Sequence, residues 1–420
     1  MTDSRQIIEP EFYKDFHCIA GDCSFTCCKE WKIRVDGETK KRWQKLPEPV
    51  VDAITEQDGQ EIIGLLPNMR CPFLEENQLC RLVRTYGEAC LSETCHVFPR
   101  ETHTFKHRIE RTLVSCCPEI VDRLYTVQEL HFTGLPYQDR DFLLKGQDKL
   151  FQIRNILMYW LSDQKLPNEV NLKRCFFMLL DLFQKEHAAP HRAARRKHAI
   201  CDEMYALDPG ECLKDADVQK LTATILAMPK DAEASMNEQN ALFLDISENY
   251  RKEGRYQELL TPLYTEAVQL SKQLEKRNAS MLQLLFKCHE EVHRLYAPLL
   301  RNYLVAETFA TLLIPGCTLR DMVLQFEWMI MEYALILHAM VLATLAMGTS
   351  GRPENGAVDD YHGEPRADAV ITPLPYENAR DVLILVARMT GYDGDEIEDY
   401  LRESFEDPIW PWGYADFLLG

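Results

Sequence analysis

The sequence predicts a mainly α protein: a cysteine-rich, irregular N-terminal domain with a few short strands, followed by a large helical domain. Two observations carry this. From about residue 145 apolar residues recur at helical spacing, as in Leu150, Ile153, Leu157 and Trp160, or Met281, Leu285, Cys288, Val292 and Leu295. Ahead of that, ten of the 15 cysteines crowd into the first 117 residues, among turn residues and short alternating segments. At 420 residues, with 46% hydrophobic and 27% charged residues, the chain can bury large cores without disulfides. The expected division is residues 1–130, a cysteine-rich cluster-binding domain, residues 131–347, a helical domain, and residues 348–420, a flexible connection with C-terminal helices docking on the body.

In chain order, residues 12–36 start loop-like. Trp31, Ile33 and Val35 alternate with Lys32 and Arg34, a short strand pattern, and the charged stretch 38–56 predicts a helix. Between Cys71 and Cys80, Glu75-Glu76-Asn77 predicts a hairpin turn, and residues 102–115 predict a second hairpin or one longer strand. Pro118 suits the first turn of a helix that buries Ile120, Val121 and Leu124. Helices are further expected over 168–186, 213–228, 236–253 and 256–277, with Pro298 ending or kinking the helix that contains it. No internal repeat marks a solenoid. Residues 185–198 form the one basic run, read as an exposed face. Residues 348–373 read as a polar connection, followed by short helices near 376–389 and 394–404 and an aromatic tail that docks back. The apolar run Tyr333 to Met347 is short for a membrane span, so it predicts a buried core helix.

Composition narrows the chemistry. A net charge of −19 argues against a general nucleic-acid binder. The N-terminus MTDSRQIIEPEF has no basic region followed by an apolar run, so a cytoplasmic location is expected, where structural disulfides rarely persist. The crowded cysteines are then thiolate ligands or catalytic thiols. Cys18/Cys23 and Cys90/Cys95 form two C-x4-C pairs, and Cys27-Cys28 and Cys116-Cys117 are adjacent. Thiolate selects zinc or iron–sulfur clusters, and ten cysteines exceed what one tetrahedral zinc requires. Nearby His96, His103 and His107 read as ordinary surface or strand residues, and Tyr13, Asp36, Glu93 and Arg100 flank the cysteine blocks as candidate pocket residues. Cys175, Cys201, Cys212, Cys288 and Cys317 read as packing residues. No C-x3-C-x2-C triplet, G-x-G-x-x-G loop or P-loop is present.

At the level of motifs, the run from Phe16 to Asp36, F-x-C-x4-C-x3-CC-x2-W-x-I-x-V-D, resembles the opening of the flagellin lysine-N-methylase family, FliB. So do CPFLEENQLC (71–80), LSETCHVFPR (91–100), ERTLVSCCPE (110–119) and, in the helical half, LLRNYLVAETFATLLIPG (299–316). The front blocks are also similar to YkgJ-type zinc- or iron-chelating domains. The resemblance implies a methyltransferase that uses S-adenosylmethionine to N-methylate lysine side chains of flagellin, with a [4Fe–4S] cluster held by the cysteine blocks. It carries Cys18, Cys23, Cys27, Cys28, Cys71, Cys80, Cys95 and Cys117 over as candidate ligands, more than one cluster needs. Cys90 and Cys116 fall outside the family positions, and no catalytic or methyl-donor residue follows from the motifs. The alternative is a non-enzymatic zinc or iron–sulfur module that docks a protein partner.

Overall fold

The computed structural model describes residues 5–57, 59–145, 148–188, 208–348 and 371–420. It is mainly α, with the strands confined to the N-terminal third. A four-stranded sheet has the order β4-β5-β1-β6. Strand β1 (Gln6–Pro10) runs parallel to β5 (Arg108–Leu113) and antiparallel to β6 (Phe132–Thr133), and β4 (Arg100–Thr104) pairs antiparallel with β5. A separate hairpin joins β2 (Ile54–Gln57) to β3 (Gln60–Ile63). The 102–115 segment is therefore the hairpin, and it begins slightly earlier, at Arg100.

The helices of the first third are short: α1 (Gly37–Trp43), α2 (Arg81–Tyr86), α3 (Glu93–Val97), α4 (Pro118–Thr126) and α5 (Arg140–Leu143). The expected helix over 38–56 is cut short. Asp36 caps α1 by accepting from the Thr39 amide (2.8 Å), but Pro47 and Pro49 lie beyond Trp43, and the chain turns into β2. The alternation at 31–35 holds without a regular strand. Ile33 and Val35 are buried, and the backbone meets β3 through Val35 N to Glu61 O (2.8 Å) and Ile63 N to Ile33 O (2.9 Å). Pro118 opens α4 with Ile120, Val121 and Leu124 buried.

The body consists of α6 (Lys149–Leu161), α7 (Asn168–Ala188), α8 (Asp215–Ala227), α9 (Ala232–Lys252), α10 (Gln257–Glu275), α11 (Ala279–Ala310), α12 (Leu319–Gly348), α13 (Tyr376–Met389), α14 (Gly394–Ser404) and α15 (Trp412–Leu419). Helix α11 runs on through Pro298 rather than ending there. Helix α12 is the central post. It is long and apolar enough to cross a membrane, but 89% of its most apolar window is buried inside the protein, as a core helix requires. The aromatic tail docks: Trp410, Ala415 and Leu418 are buried, and the Trp412 indole donates to Lys173 O (2.9 Å). Most of the basic run 185–198, most of the connection 348–373, and Cys201 lie outside the described residues.

One core runs from the sheet into the helices, and a smaller one, around Ile33, Trp43, Cys71 and Phe73, lies within the cysteine-rich part. Buried polar contacts also cross from the N-terminal part to the body. Asn302 on α11 donates to both Leu124 O and Val127 O (2.9 Å each), carbonyls that the end of α4 leaves without helical partners. Asn302→Ala would orphan them in a buried place, so we expect a loss of about 1–3 kcal/mol in a urea unfolding curve. A loss below a few tenths would show that water replaces the amide.

Glu327, within the apolar face of α12, is fully buried and accepts from the Trp410 amide (2.7 Å). Burial pushes its carboxyl up to about 9, with Asp407 adding to the shift and the amide opposing it. The folded state then binds the extra proton between the ordinary value of 4.5 and about 9. Stability from this group is complete below that window and declines as pH rises through it. We expect Glu327→Gln to flatten the fall in melting temperature between about pH 7 and pH 9, a group worth up to ~1.4 kcal/mol per pH unit. Parallel melting curves for variant and parent would contradict this.

Candidate functional site

The cysteine blocks come together through backbone pairing. Residues 28–30 run antiparallel to 69–71, with Cys71 N donating to Cys28 O (2.9 Å) and Glu30 N to Met69 O (2.7 Å), which sets Cys28 beside Cys71. The predicted turn at 75–77 folds Cys80 back: Leu74 bridges Cys80, and Arg81 N donates to Phe73 O (2.8 Å). Cys95 arrives on α3, whose N-cap Ser92 accepts from the Cys95 amide (3.2 Å). Cys27, Cys28, Cys71 and Cys95 line one apolar pocket with Ile33, Ile63 and the edge-to-face pair Trp31–Phe98 (centroids 4.7 Å apart). Cys80 lies within electrostatic reach of Cys28, Cys71 and Cys95.

The eight candidate cysteines thus divide. Cys28, Cys71, Cys80 and Cys95, with Cys27 alongside, form one group. Cys18, Cys23 and Cys117 feel one another and form a second. All described cysteines are free thiols. Cys90 is buried away from both groups, and its carbonyl accepts from the Trp43 indole (2.7 Å). Cys116 faces the other way from Cys117, towards the helical body.

Burial governs the thiols. It pushes Cys71 up to about 12 and Cys95 up to about 11, and it raises Cys80 and Cys23. Cys28 is the exception, drawn down to about 7 because Cys27 donates to it, with Thr26 and Arg388 helping. A soft cation bound here would have to displace several thiol protons. Among the described residues, no three His, Cys, Asp or Glu side chains are gathered as a single metal ion needs. A lone zinc with bonds of about 2.3 Å requires such tight gathering. A cluster that interposes its own iron and sulfide spaces its thiolates more widely, and four thiols around an apolar cradle match that donor set.

The flanking residues sort differently. Asp36 is a helix cap, accepting from Thr39 and from Glu93 N (3.2 Å), contacts that hold its carboxyl well below the usual range. Glu93 is exposed. Arg100 donates to Phe16 O (3.1 Å) and lies over the Phe16 ring (4.7 Å), with Tyr13 farther off, so both brace the first block. His96 and His107 are exposed, and His103 faces Glu101 (3.9 Å).

Sequence reasoning missed the residues that join the cysteines to the body. Arg388, on α13, donates to the carbonyls of Phe25 (2.9 Å), Thr26 (3.2 Å) and Cys116 (3.3 Å) and stacks on Phe25 (4.3 Å) and Trp31 (5.3 Å). It helps draw down Cys23, Cys27, Cys28 and Cys116. Near Cys116, Glu307 (α11) lies within electrostatic reach of Glu332 (α12) and Glu101 (β4) and accepts from Ser115. Burial, then Glu332, pushes Glu307 up to about 8, although its side chain keeps some exposure. Burial also raises Glu332, against contacts from Thr390 and Tyr303. Carboxylates inside apolar helical runs, LVAETFA and MIMEYAL, were the available signal.

Comparison with known proteins follows this geometry. The chain is 31% identical to the flagellar biosynthetic protein FliU of Salmonella muenchen over 172 residues, 38% of this chain and 93% of that protein. It is 34% identical over 131 residues to proteins named lysine-N-methylase from Salmonella choleraesuis and Salmonella typhimurium, 28% of this chain and 32% of each of them. The matched segment therefore spans about a third of the length of those two methylases. No family model matches, and no solved structure matches.

Proposed function

Because the chain belongs to the flagellin lysine-N-methylase family, we propose that it transfers the methyl group of S-adenosylmethionine to lysine side chains of flagellin, with a [4Fe–4S] cluster held by its N-terminal cysteines. The observation that carries the reading is the convergence of Cys27, Cys28, Cys71 and Cys95, from three separate blocks, around one apolar pocket, with Cys80 within electrostatic reach of Cys28, Cys71 and Cys95. In this reading residues 1–130 hold the cofactor, 131–347 complete the substrate groove, and the C-terminal helices of the 348–420 part dock on the body. The protein acts in the cytoplasm, on flagellin before export.

Cys28, Cys71, Cys80 and Cys95 are the ligands we assign, and Cys18, Cys23 and Cys117 form a second thiol group whose loading is read independently. A cluster held there would supply a Lewis-acidic iron or an electron donor. The protein supplies the rest. Lysine is cationic at neutral pH, with an ordinary pKa near 10.4, so its nitrogen needs a desolvated site and a proton acceptor before it can attack a methyl carbon. The pocket between Cys27, Cys28, Cys71 and Cys95 has an almost wholly apolar lining. Arg388 pins the loop carrying Cys27 and Cys28 to the helical body through the Phe25 and Thr26 carbonyls and ties in the Cys116 carbonyl as well, so it fixes the thiol pocket relative to α13.

Anaerobic purification with iron, sulfide and zinc quantified, followed by calorimetry with S-adenosylmethionine, tests this. We expect a brown protein with about four iron and four sulfide per cluster and saturable donor binding. A zinc protein that fails to bind the donor, with or without flagellin, would instead support a non-enzymatic docking module.

We also expect Arg388→Met to loosen the thiol pocket while leaving the helical body folded. The check is a 10-fold or greater fall in iron retention during gel filtration, in the range usual for groups that orient ligands. Full retention would show that the loop holds itself.

A further inference from the structure

The thiol pocket is walled unevenly. Ile33, Ile63 and Cys71, on its inner side, are buried. Trp31, Leu65, Thr94 and Phe98 line it too but are only half-buried, so the approach from solvent lies on their side. The Thr94 hydroxyl is claimed by Arg34 O (3.3 Å), which leaves two aromatic rings as the bulk of this outer wall. Each ring stands three residues past a pocket cysteine, Trp31 after Cys28 and Phe98 after Cys95. They meet edge to face, with planes 87° apart and centroids 4.7 Å apart, an arrangement that adds to what burial alone contributes. Trp31 packs on the small core of the cysteine-rich part and Phe98 on the main core, so their contact is a point where the two cores meet at the pocket. Trp31 is also held by the Arg388 guanidinium, 5.3 Å from its ring centre and anchored on the Phe25 and Thr26 carbonyls.

We propose that the Trp31–Phe98 pair is the gate of the thiol pocket, setting how fast water, dioxygen and small reagents reach Cys28, Cys71 and Cys95 and the cofactor they hold. Its role as a shield for a cluster rests on the iron–sulfur reading of the pocket; the gating of the thiols does not. Solvent access is one of the levers a protein holds over such a site, because it sets the local dielectric and the exposure of the metal–sulfur bonds. Two rings locked edge to face make a stiff wall, since each has only two side-chain torsions to restrain.

The position of the pair also says what opens it. Because the rings belong to different cores, a small shift of one core against the other parts them without breaking either core. Arg388 opposes that shift by tying Trp31 and its loop to α13. The gate is thus a positioning device for the pocket, and neither ring supplies a ligand.

The test uses the full chain in two states. In protein stripped of metal by a chelator under reducing, anaerobic conditions, alkylation of each cysteine by iodoacetamide and by the bulkier N-ethylmaleimide is timed by peptide mass spectrometry. In Trp31→Ala, Cys28, Cys71 and Cys95 should react about 10-fold faster or more, with the larger gain for the bulkier reagent. Cys90, buried in the same part of the chain but outside the pocket, and Cys175, buried in the helical body, should keep the parent rate. Trp31→Phe should restore most of the protection. In anaerobically purified, iron-loaded protein, Trp31→Ala should lose its cluster absorbance in air about 10-fold faster than the parent at equal starting iron and sulfide. Phe98→Ala carries the same expectations should Trp31→Ala not fold. Unchanged rates at the three pocket thiols in a folded variant overturn the proposal. So does an equal acceleration at Cys90 and Cys175, which would mean that the rings only pack. Faster labelling with unchanged bleaching of an iron-loaded protein overturns the shield. Faster labelling in a chain whose parent takes up no iron or sulfide supports the gate and sinks the iron–sulfur reading instead.

Discussion

Cys95→Ser should strip the protein of iron and sulfide and lower flagellin methylation by more than about 100-fold, beyond the 10–100-fold usual for groups that merely support ligands. The argument is geometric. Cys95 lies on α3, fixed by the Ser92 cap, and lines the same pocket as Cys28 and Cys71, which arrive on a different pair of segments. A serine oxygen is a hard, weakly acidic donor and does not replace a thiolate towards soft iron. Cys90→Ser separates ligand loss from general damage. Cys90 is buried and its backbone anchors Trp43, but its sulfur belongs to neither thiol group. That variant should keep its iron and lose at most about 1 kcal/mol of stability. Equal iron loss in both would mean that packing, not ligation, decides cofactor retention.

The second large effect is on stability. Arg154 on α6 is 0% exposed and grips Glu110 of β5 through two bonds of 2.6 and 2.7 Å. Its guanidinium also lies over Phe309 (4.9 Å) and Phe151 (5.4 Å), so one side chain joins the sheet to two helices. Arg108, two residues earlier on the same strand, approaches the same carboxylate (2.7 Å). Arg154→Met removes the better partner and leaves Glu110 buried with half its compensation. A loss of about 3–5 kcal/mol is expected in equilibrium unfolding. The double variant Arg154→Met with Glu110→Leu should recover much of that loss, because no uncompensated charge remains. A double variant as unstable as the single would show that aromatic stacking, not the ion pair, carries the junction.

Much of the architecture was legible in the sequence, for local reasons. Amphipathic spacing placed α6, α7 and the helices over 213–277 to within a few residues. The Pro118 signal placed α4, and the Glu75-Glu76-Asn77 turn placed the fold-back of Cys80. The errors came where local pattern met long-range context. The charged run after Asp36 looked helical throughout, but prolines divide it. Pro298 looked like a helix end, yet α11 continues because its flanks are packed on both sides by α4 and α12. In the candidate site, spacing identified the crowded thiols but not their division. Adjacent cysteines such as Cys116 and Cys117 diverge because Cys117 caps α4 while the Cys116 carbonyl is claimed by Arg388, 272 positions away in sequence. Glu307, Glu332 and Ser115 belong to three separate elements, and no one-dimensional pattern links them.

The most direct measurement of the central claim is a single assay. Anaerobically purified protein is incubated with purified flagellin and methyl-labelled S-adenosylmethionine, and the flagellin is read by intact-mass and peptide mass spectrometry. The account predicts label on lysine side chains in steps of one methyl unit, dependent on the donor and lost from Cys95→Ser. Unlabelled flagellin with a fully iron-loaded protein would contradict it. So would full labelling by a colourless, iron-free protein, which would remove the thiol-bound cluster from the reaction.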